Sequence, residues 1–144
     1  RKRIIMKYIS FMELSEAVMI CKIVIGGCRY YNNYTAFTKV LDICLSKIKN
    51  KNEIVILSGH CSGVDKMAEY YAKENYYELE IYPAKWEKYG KSAGPKRNEI
   101  MVKKSNAVIA FWDYKSRGTK NLITLAKKYN KPIRVIDINQ KGML

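Results

Sequence analysis

Glu53-Ile54-Val55-Ile56-Leu57-Ser58-Gly59-His60-Cys61-Ser62-Gly63-Val64-Asp65-Lys66-Met67-Ala68-Glu69-Tyr70-Tyr71-Ala72 decides how the rest of the chain is read. Residues 53–57 form a short, nearly continuous apolar run, the pattern of a strand covered on both faces. Residues 66–72 then follow a helical pattern. Between them lies a loop carrying Gly59 and Gly63. A loop of this kind, from strand end to helix start, is where α/β proteins hold anions. The first-turn N–H groups of the helix have no intrahelical acceptor, and the helix dipole favours negative charge beside them.

The same unit recurs on both sides. Upstream, Lys22-Ile23-Val24-Ile25 ends in Gly26-Gly27 and precedes helical spacing at Phe37, Val40, Leu41, Cys44, Leu45 and Ile48. Downstream, residues 79–82 make a third strand closed by Pro83, and residues 107–112 a fourth. A fifth covers residues 132–136, with helices expected from Pro95 and from Thr119 to Tyr129. Short apolar strands alternating with helices form a parallel sheet, and right-handed crossovers distribute the helices. The fold class is therefore α/β: a Rossmann-like, doubly wound, parallel five-stranded sheet with helices on both faces. In such sheets ligands sit outside the carboxyl ends of the strands, where the strand order reverses.

The 144 residues suit one domain, read as residues 21–144, preceded by an extension over residues 1–20 that is helical or poorly ordered. Cys21, Cys28, Cys44 and Cys61 make no CxxC pair, which points to reduced thiols and a cytoplasmic protein. His60, the one histidine, has no zinc-type spacing with them, so no metal and no cofactor is expected. Charges interrupt every long apolar stretch, which argues against a membrane partner. The net charge of +14 has two readings. One is a polyanionic partner such as nucleic acid. The other is compositional: Lys, Ile, Asn and Tyr are all abundant, and the lysines are spread along the chain. The compositional reading is preferred.

Three glycine junctions carry the candidate binding residues. Gly26 and Gly27 permit close backbone approach, and Arg29 offers a fork for phosphate. Ser58, Gly59, Ser62 and Gly63 form the second cradle. Asp65, in the first helical turn, reads equally as a dipole-complementing residue or as a ribose acceptor or general base. Ser116-Arg117-Gly118-Thr119 with Asn121 forms the third, and Asp113 stands at the crevice rim or makes a turn. The polar segment over residues 89–99 adds Arg97, Asn98 and Glu99. Glu99 either orients water or ribose or complements a helix start. Trp86 is a stacking candidate for a base.

The chain resembles the SLOG superfamily of Rossmann-like proteins, in particular its YspA-like subgroup. The resemblance rests on Gly26-Gly27-Cys28-Arg29, Ser58-Gly59 with Gly63-Val64-Asp65, Pro83-Ala84-Lys85-Trp86, and Gly94-Pro95-Lys96-Arg97-Asn98 with Met101. Phe111-Trp112-Asp113 and Ser116-Arg117-Gly118-Thr119-Lys120-Asn121 complete it. Relatives more often carry Ala-Gly-Ser-Arg at the first motif. The superfamily includes phosphoribohydrolases of nucleoside monophosphates and the single-strand-binding DNA-processing protein A. The resemblance thus implies a small nucleotide or ADP-ribose-like ligand, sensed or hydrolysed at its N-glycosidic bond, and a homodimer. Single-stranded nucleic-acid binding is the alternative. The hydrolase branch places acids after Gly-Thr, where this chain has Lys120, Asn121 and Leu122. That leaves Glu99 and Asp65 as its candidate catalytic acids.

Overall fold

A computed structural model describes residues 20–48 and 53–140. The extension assigned to residues 1–20 lies outside them, apart from an exposed Ile20. The elements alternate throughout: β1 (Cys21–Gly27), α1 (Tyr34–Leu45), β2 (Ile54–Ser58), α2 (Val64–Glu74), β3 (Glu78–Ile81), α3 (Trp86–Tyr89), a 3-10 turn (Gly90–Ser92), α4 (Ala93–Lys104), β4 (Ala107–Trp112), α5 (Arg117–Lys128) and β5 (Ile133–Asp137). All five strands pair in parallel in the order β3-β2-β1-β4-β5.

The central strands are apolar on both faces because both are covered. Ile23, Ile25, Ile54 and Ile56 face Phe37, Leu41, Ala68 and Tyr71 of α1 and α2. Val24, Val55, Leu57, Val108 and Ala110 face Met101, Val102, Leu122 and Ala126 of α4 and α5. Alternate residues of one strand thus enter two cores, as the period of two requires. The chain winds from β1 outward to β3, then crosses back over the sheet to β4. The order therefore reverses between β1 and β4. At that point Gly27 pairs with Phe111, and the carboxyl ends of the two strands diverge around a crevice.

Among the described residues the four cysteines form no disulfide, and no helix is long and apolar enough to cross a membrane. No group of three or more His, Cys, Asp or Glu there is placed to hold a metal.

The lysines are spread along the sequence, but their compensating acids are not. Residues 20–84 hold eight Lys and Arg against seven Asp and Glu. Residues 85–131 hold thirteen against three. That second segment is essentially the α3–α4–β4–α5 half of the fold, and it supplies the helix layer on one face of the sheet. The compositional reading of the charge does not anticipate this one-sidedness.

Candidate functional site

The crevice at the reversal point has a volume of about 490 Å³. It brings together Gly26, Gly27 and Arg29 from the end of β1, and Asp65 from α2. Trp86, Arg97 and Asn98 come from α3 and α4, and Ser116, Arg117, Gly118, Thr119 and Asn121 from the start of α5. Cys28, Tyr30, Cys61 and Lys91 also line it.

Arg97 is the buried centre of this arrangement, only 9% exposed. Its Nε donates to Asn98 Oδ1 at 2.9 Å, and Nη1 donates to the Gly59 carbonyl and, at 3.3 Å, to the Tyr82 carbonyl. Nη2 lies 3.7 Å from Cys61 Sγ. These partners are neutral, and among the described residues no carboxylate oxygen comes within 4.0 Å of the guanidinium. A buried cation without an ion pair is costly, and an anion in the crevice offsets that cost. Asn98 also ties α4 to α5, donating to Asn121 Oδ1 at 3.0 Å and to the Gly118 carbonyl at 3.4 Å.

Among the described residues, Asp65 is the one carboxylate on the crevice wall. Its Oδ2 accepts the Cys61 N–H at 3.1 Å. Burial pushes its carboxyl up to about 6 against the opposing pull of that hydrogen bond and of Arg97 and Arg29, and Glu69 adds to the rise. Around it the wall is positive, with Arg29, Lys91, Arg97 and Arg117. The Arg29 guanidinium stands 5.7 Å from the centre of the Trp86 ring at the mouth.

The start of α5 is held open toward the crevice. Asp113 Oδ1 accepts the N–H groups of Lys115 at 2.9 Å and Ser116 at 2.7 Å, and its Oδ2 accepts the Tyr30 hydroxyl at 2.6 Å. These bonds hold the Asp113 carboxyl well below the usual carboxylate range, and the same contact pushes Tyr30 up to about 12. The α5 N-terminus has no acidic residue in its first turn and no side-chain cap from Ser116, unlike α2, where Asp65 fills that role. Cys28 Sγ sits 3.1 Å from Ser116 Oγ, and burial pushes its thiol up, so it is a poor nucleophile.

Several residues read from the sequence as binding residues shape the wall from behind. Ser58 is fully buried and donates to Glu69 Oε2 at 2.8 Å and to the Asp65 carbonyl at 3.1 Å. Gly59 lies against Arg97: a Cβ there would come within 2.6 Å of Nη1. Ser62 is exposed and donates to the Arg29 carbonyl at 3.1 Å. Gly63, at φ +74°, abuts the carbonyls of Cys28 and Arg29, and a Cβ would approach both to 2.4 Å. Asp113 anchors the β4–α5 loop. Glu99 is turned away from the crevice, accepting the Tyr129 hydroxyl at 2.6 Å with Lys128 at 3.9 Å. That hydroxyl, with the nearby lysines, keeps Glu99 below its usual range. Of the two candidate acids, Asp65 alone reaches the crevice.

Sequence reasoning missed Glu69. It is 6% exposed and accepts from Ser58 and from His60 Nδ1 at 2.9 Å, with His60 itself at φ +65°. The signal was its place one helical turn after Asp65.

Fold and site together define a Rossmann-like α/β domain with a positively lined crevice at the strand-order reversal. Residues 21–89 are similar to the YspA, cpYpsA-related SLOG family. No curated protein matches the chain. Among solved structures, DNA processing protein A from Helicobacter pylori, described for its unique mode of binding single-stranded DNA, is similar in fold. The TM-score is 0.55, with 24% identity over 88% of this chain and 68% of that one.

Proposed function

We propose that the crevice binds a phosphorylated nucleotide or nucleotide derivative. Its phosphate lies at the α5 N-terminus between Arg97 and Arg117, its ribose toward Asp65, and its base toward Trp86. The observation that carries this reading is the convergence of a buried Arg97 without an ion pair and an uncapped helix start on one cavity, whose one carboxylate among the described residues is Asp65. The volume lies in the range of small-molecule sites. The similarity of residues 21–89 to a SLOG family supports the ligand class.

The test is thermal shift and calorimetry with AMP and ADP-ribose. A bound nucleotide raises the melting temperature by mass action, by about 2.7 kcal/mol of stability at one hundred times Kd. Arg97→Gln abolishes the shift. Absence of a shift with either compound at millimolar concentration defeats the reading. Sensor and hydrolase part at the next step. Hydrolysis releases free base, detectable by chromatography, and Asp65→Asn stops it because no other described carboxylate lines the crevice to position water. Saturable binding without free base leaves a sensor.

A further inference from the structure

We infer that Glu69 is a positioning residue for the crevice: through Ser58 and His60 it fixes the β2–α2 loop so that the Gly59 carbonyl holds Arg97 and the Cys61 N–H holds Asp65. The inference rests on the nucleotide reading of that crevice. Three observations carry it.

The first is what the loop delivers. Residues 59–63 join the end of β2 to the start of α2. Two of them present backbone groups to the charged pair in the crevice. The Gly59 carbonyl accepts from Arg97 Nη1, and the Cys61 N–H donates to Asp65 Oδ2 at 3.1 Å. His60 stands between them at φ +65°, a left-handed backbone that a residue with a Cβ keeps only where its surroundings hold it.

The second is what holds it. The His60 N–H donates to Ser58 Oγ at 3.1 Å, and Ser58 Oγ donates to Glu69 Oε2 at 2.8 Å. His60 Nδ1 donates to the same oxygen at 2.9 Å. The circuit closes on one buried carboxylate, which grips the backbone and the side chain of His60 together. With the proton on Nδ1, Nε2 accepts from Lys66 Nζ at 3.1 Å, and the same ammonium stands 3.9 Å from Glu69 Oε1.

The third is placement. Glu69 follows Asp65 by four residues on α2, so the two buried carboxylates share one helix face. Asp65 lines the crevice and Glu69 stands outside its lining. Among the charged groups acting on Asp65, Arg97 and Arg29 favour its ionisation and Glu69 opposes it. Glu69 thus governs both the anchoring of the loop and the charge that faces the ribose.

The experiment is calorimetry with ADP-ribose between about pH 5 and 8, a range in which its pyrophosphate does not titrate. Wild-type affinity falls on acidification, as Asp65 takes up a proton and no longer accepts from both ribose hydroxyls. Glu69→Gln keeps an acceptor for His60 but not the charge, and moves the midpoint of this profile toward acid by about half a pH unit or more. Glu69→Ala removes the acceptor as well and weakens ADP-ribose about tenfold or more at neutral pH, a loss that Glu69→Gln largely restores. Tyr71→Phe cuts the bond from α2 to Asp42 of α1, and leaves affinity and midpoint unchanged. An unchanged midpoint in Glu69→Gln overturns the inference, as does an equal loss of affinity in Tyr71→Phe and Glu69→Ala. NMR of the Asp65 carboxyl in the ligand-free protein separates this failure from that of the nucleotide reading. A carboxyl that titrates lower in Glu69→Gln, beside a wild type that binds no ADP-ribose, sinks the nucleotide reading and upholds the role of Glu69. Equal titration in the two proteins sinks that role.

Discussion

Asp65 holds its proton more tightly in the fold than in the unfolded chain, because burial outweighs the help of the Cys61 N–H and the nearby arginines. Its folded pKa, about 6, lies above the ordinary 3.8. The protonated carboxyl therefore favours the fold fully below about pH 4, and that contribution is lost as pH rises through about 6. Asp65→Asn keeps an acceptor for the Cys61 N–H and never ionises. It is expected to be more stable than the wild type at pH 7.5, by on the order of 1–3 kcal/mol, with the gap closing by pH 4. Urea unfolding at the two pH values checks it, and a variant less stable at pH 7.5 contradicts it. Two glycines separate structure from ligand in the same way. Gly63→Ala forces a Cβ against two carbonyls at positive φ, and an expected loss of about 2–4 kcal/mol follows. Gly118 has nothing within 4 Å of the same position, so Gly118→Ala keeps or slightly raises the melting temperature while obstructing phosphate at the α5 start. Calorimetry with AMP reads weaker binding in Gly118→Ala despite intact stability; unchanged affinity moves the phosphate elsewhere.

At the scale of elements, the five strands were legible because a strand covered on both faces is an apolar run, and the turns between them carry Gly, Asn or Pro. Helix limits shifted by a turn or less: α5 begins at Arg117 rather than Thr119, and α4 at Ala93, which leaves Pro95 in the first turn where its missing N–H costs nothing. The short α3 and the turn after it were not legible, since four residues cannot express a period. The glycine junctions after β1 and before α5 line the crevice at the strand-order reversal. What a linear reading could not supply was the side to which each polar group turns: Ser58 backward to Glu69, Glu99 outward to Tyr129, Arg97 inward to carbonyls from separate segments. The β4–α5 loop gives the prediction proper to this scale. Asp113→Ala removes the acceptor for Ser116, Lys115 and Tyr30 together, so the α5 start loosens and stability falls by about 1–3 kcal/mol. The sign with pH is opposite to that of Asp65. A carboxyl held low stabilises above its unfolded pKa, and the wild type loses that advantage as the solution is acidified through the folded value. The gap between wild type and Asp113→Ala is expected to be widest at neutral pH and to shrink in acid, as measured by melting temperature.

Across the whole molecule, the uneven distribution of charge matters more than its total. A net excess of ten positive charges between residues 85 and 131 is confined to one helix layer and its loops, where lysines repel one another over distances comparable to the Debye length at physiological salt. Salt has two opposing effects on such a fold. It weakens exposed pairs such as Lys22–Glu80 and Lys128–Glu99, which contribute little at a solvated surface. It also screens the repulsion within the basic layer, where cations far outnumber acids. The second effect is the larger, so the melting temperature is expected to rise between about 0.05 and 0.5 M NaCl, concentrations chosen for a Debye length falling from above to below about 10 Å. Replacing Lys96, Lys103 and Lys104 with Gln relieves part of the repulsion in advance. That variant is expected to melt higher than the wild type at low salt and to gain less from added salt. A wild-type melting temperature that falls with salt shows instead that the ion pairs outweigh the repulsion, and that the basic layer is tolerated by the fold without strain.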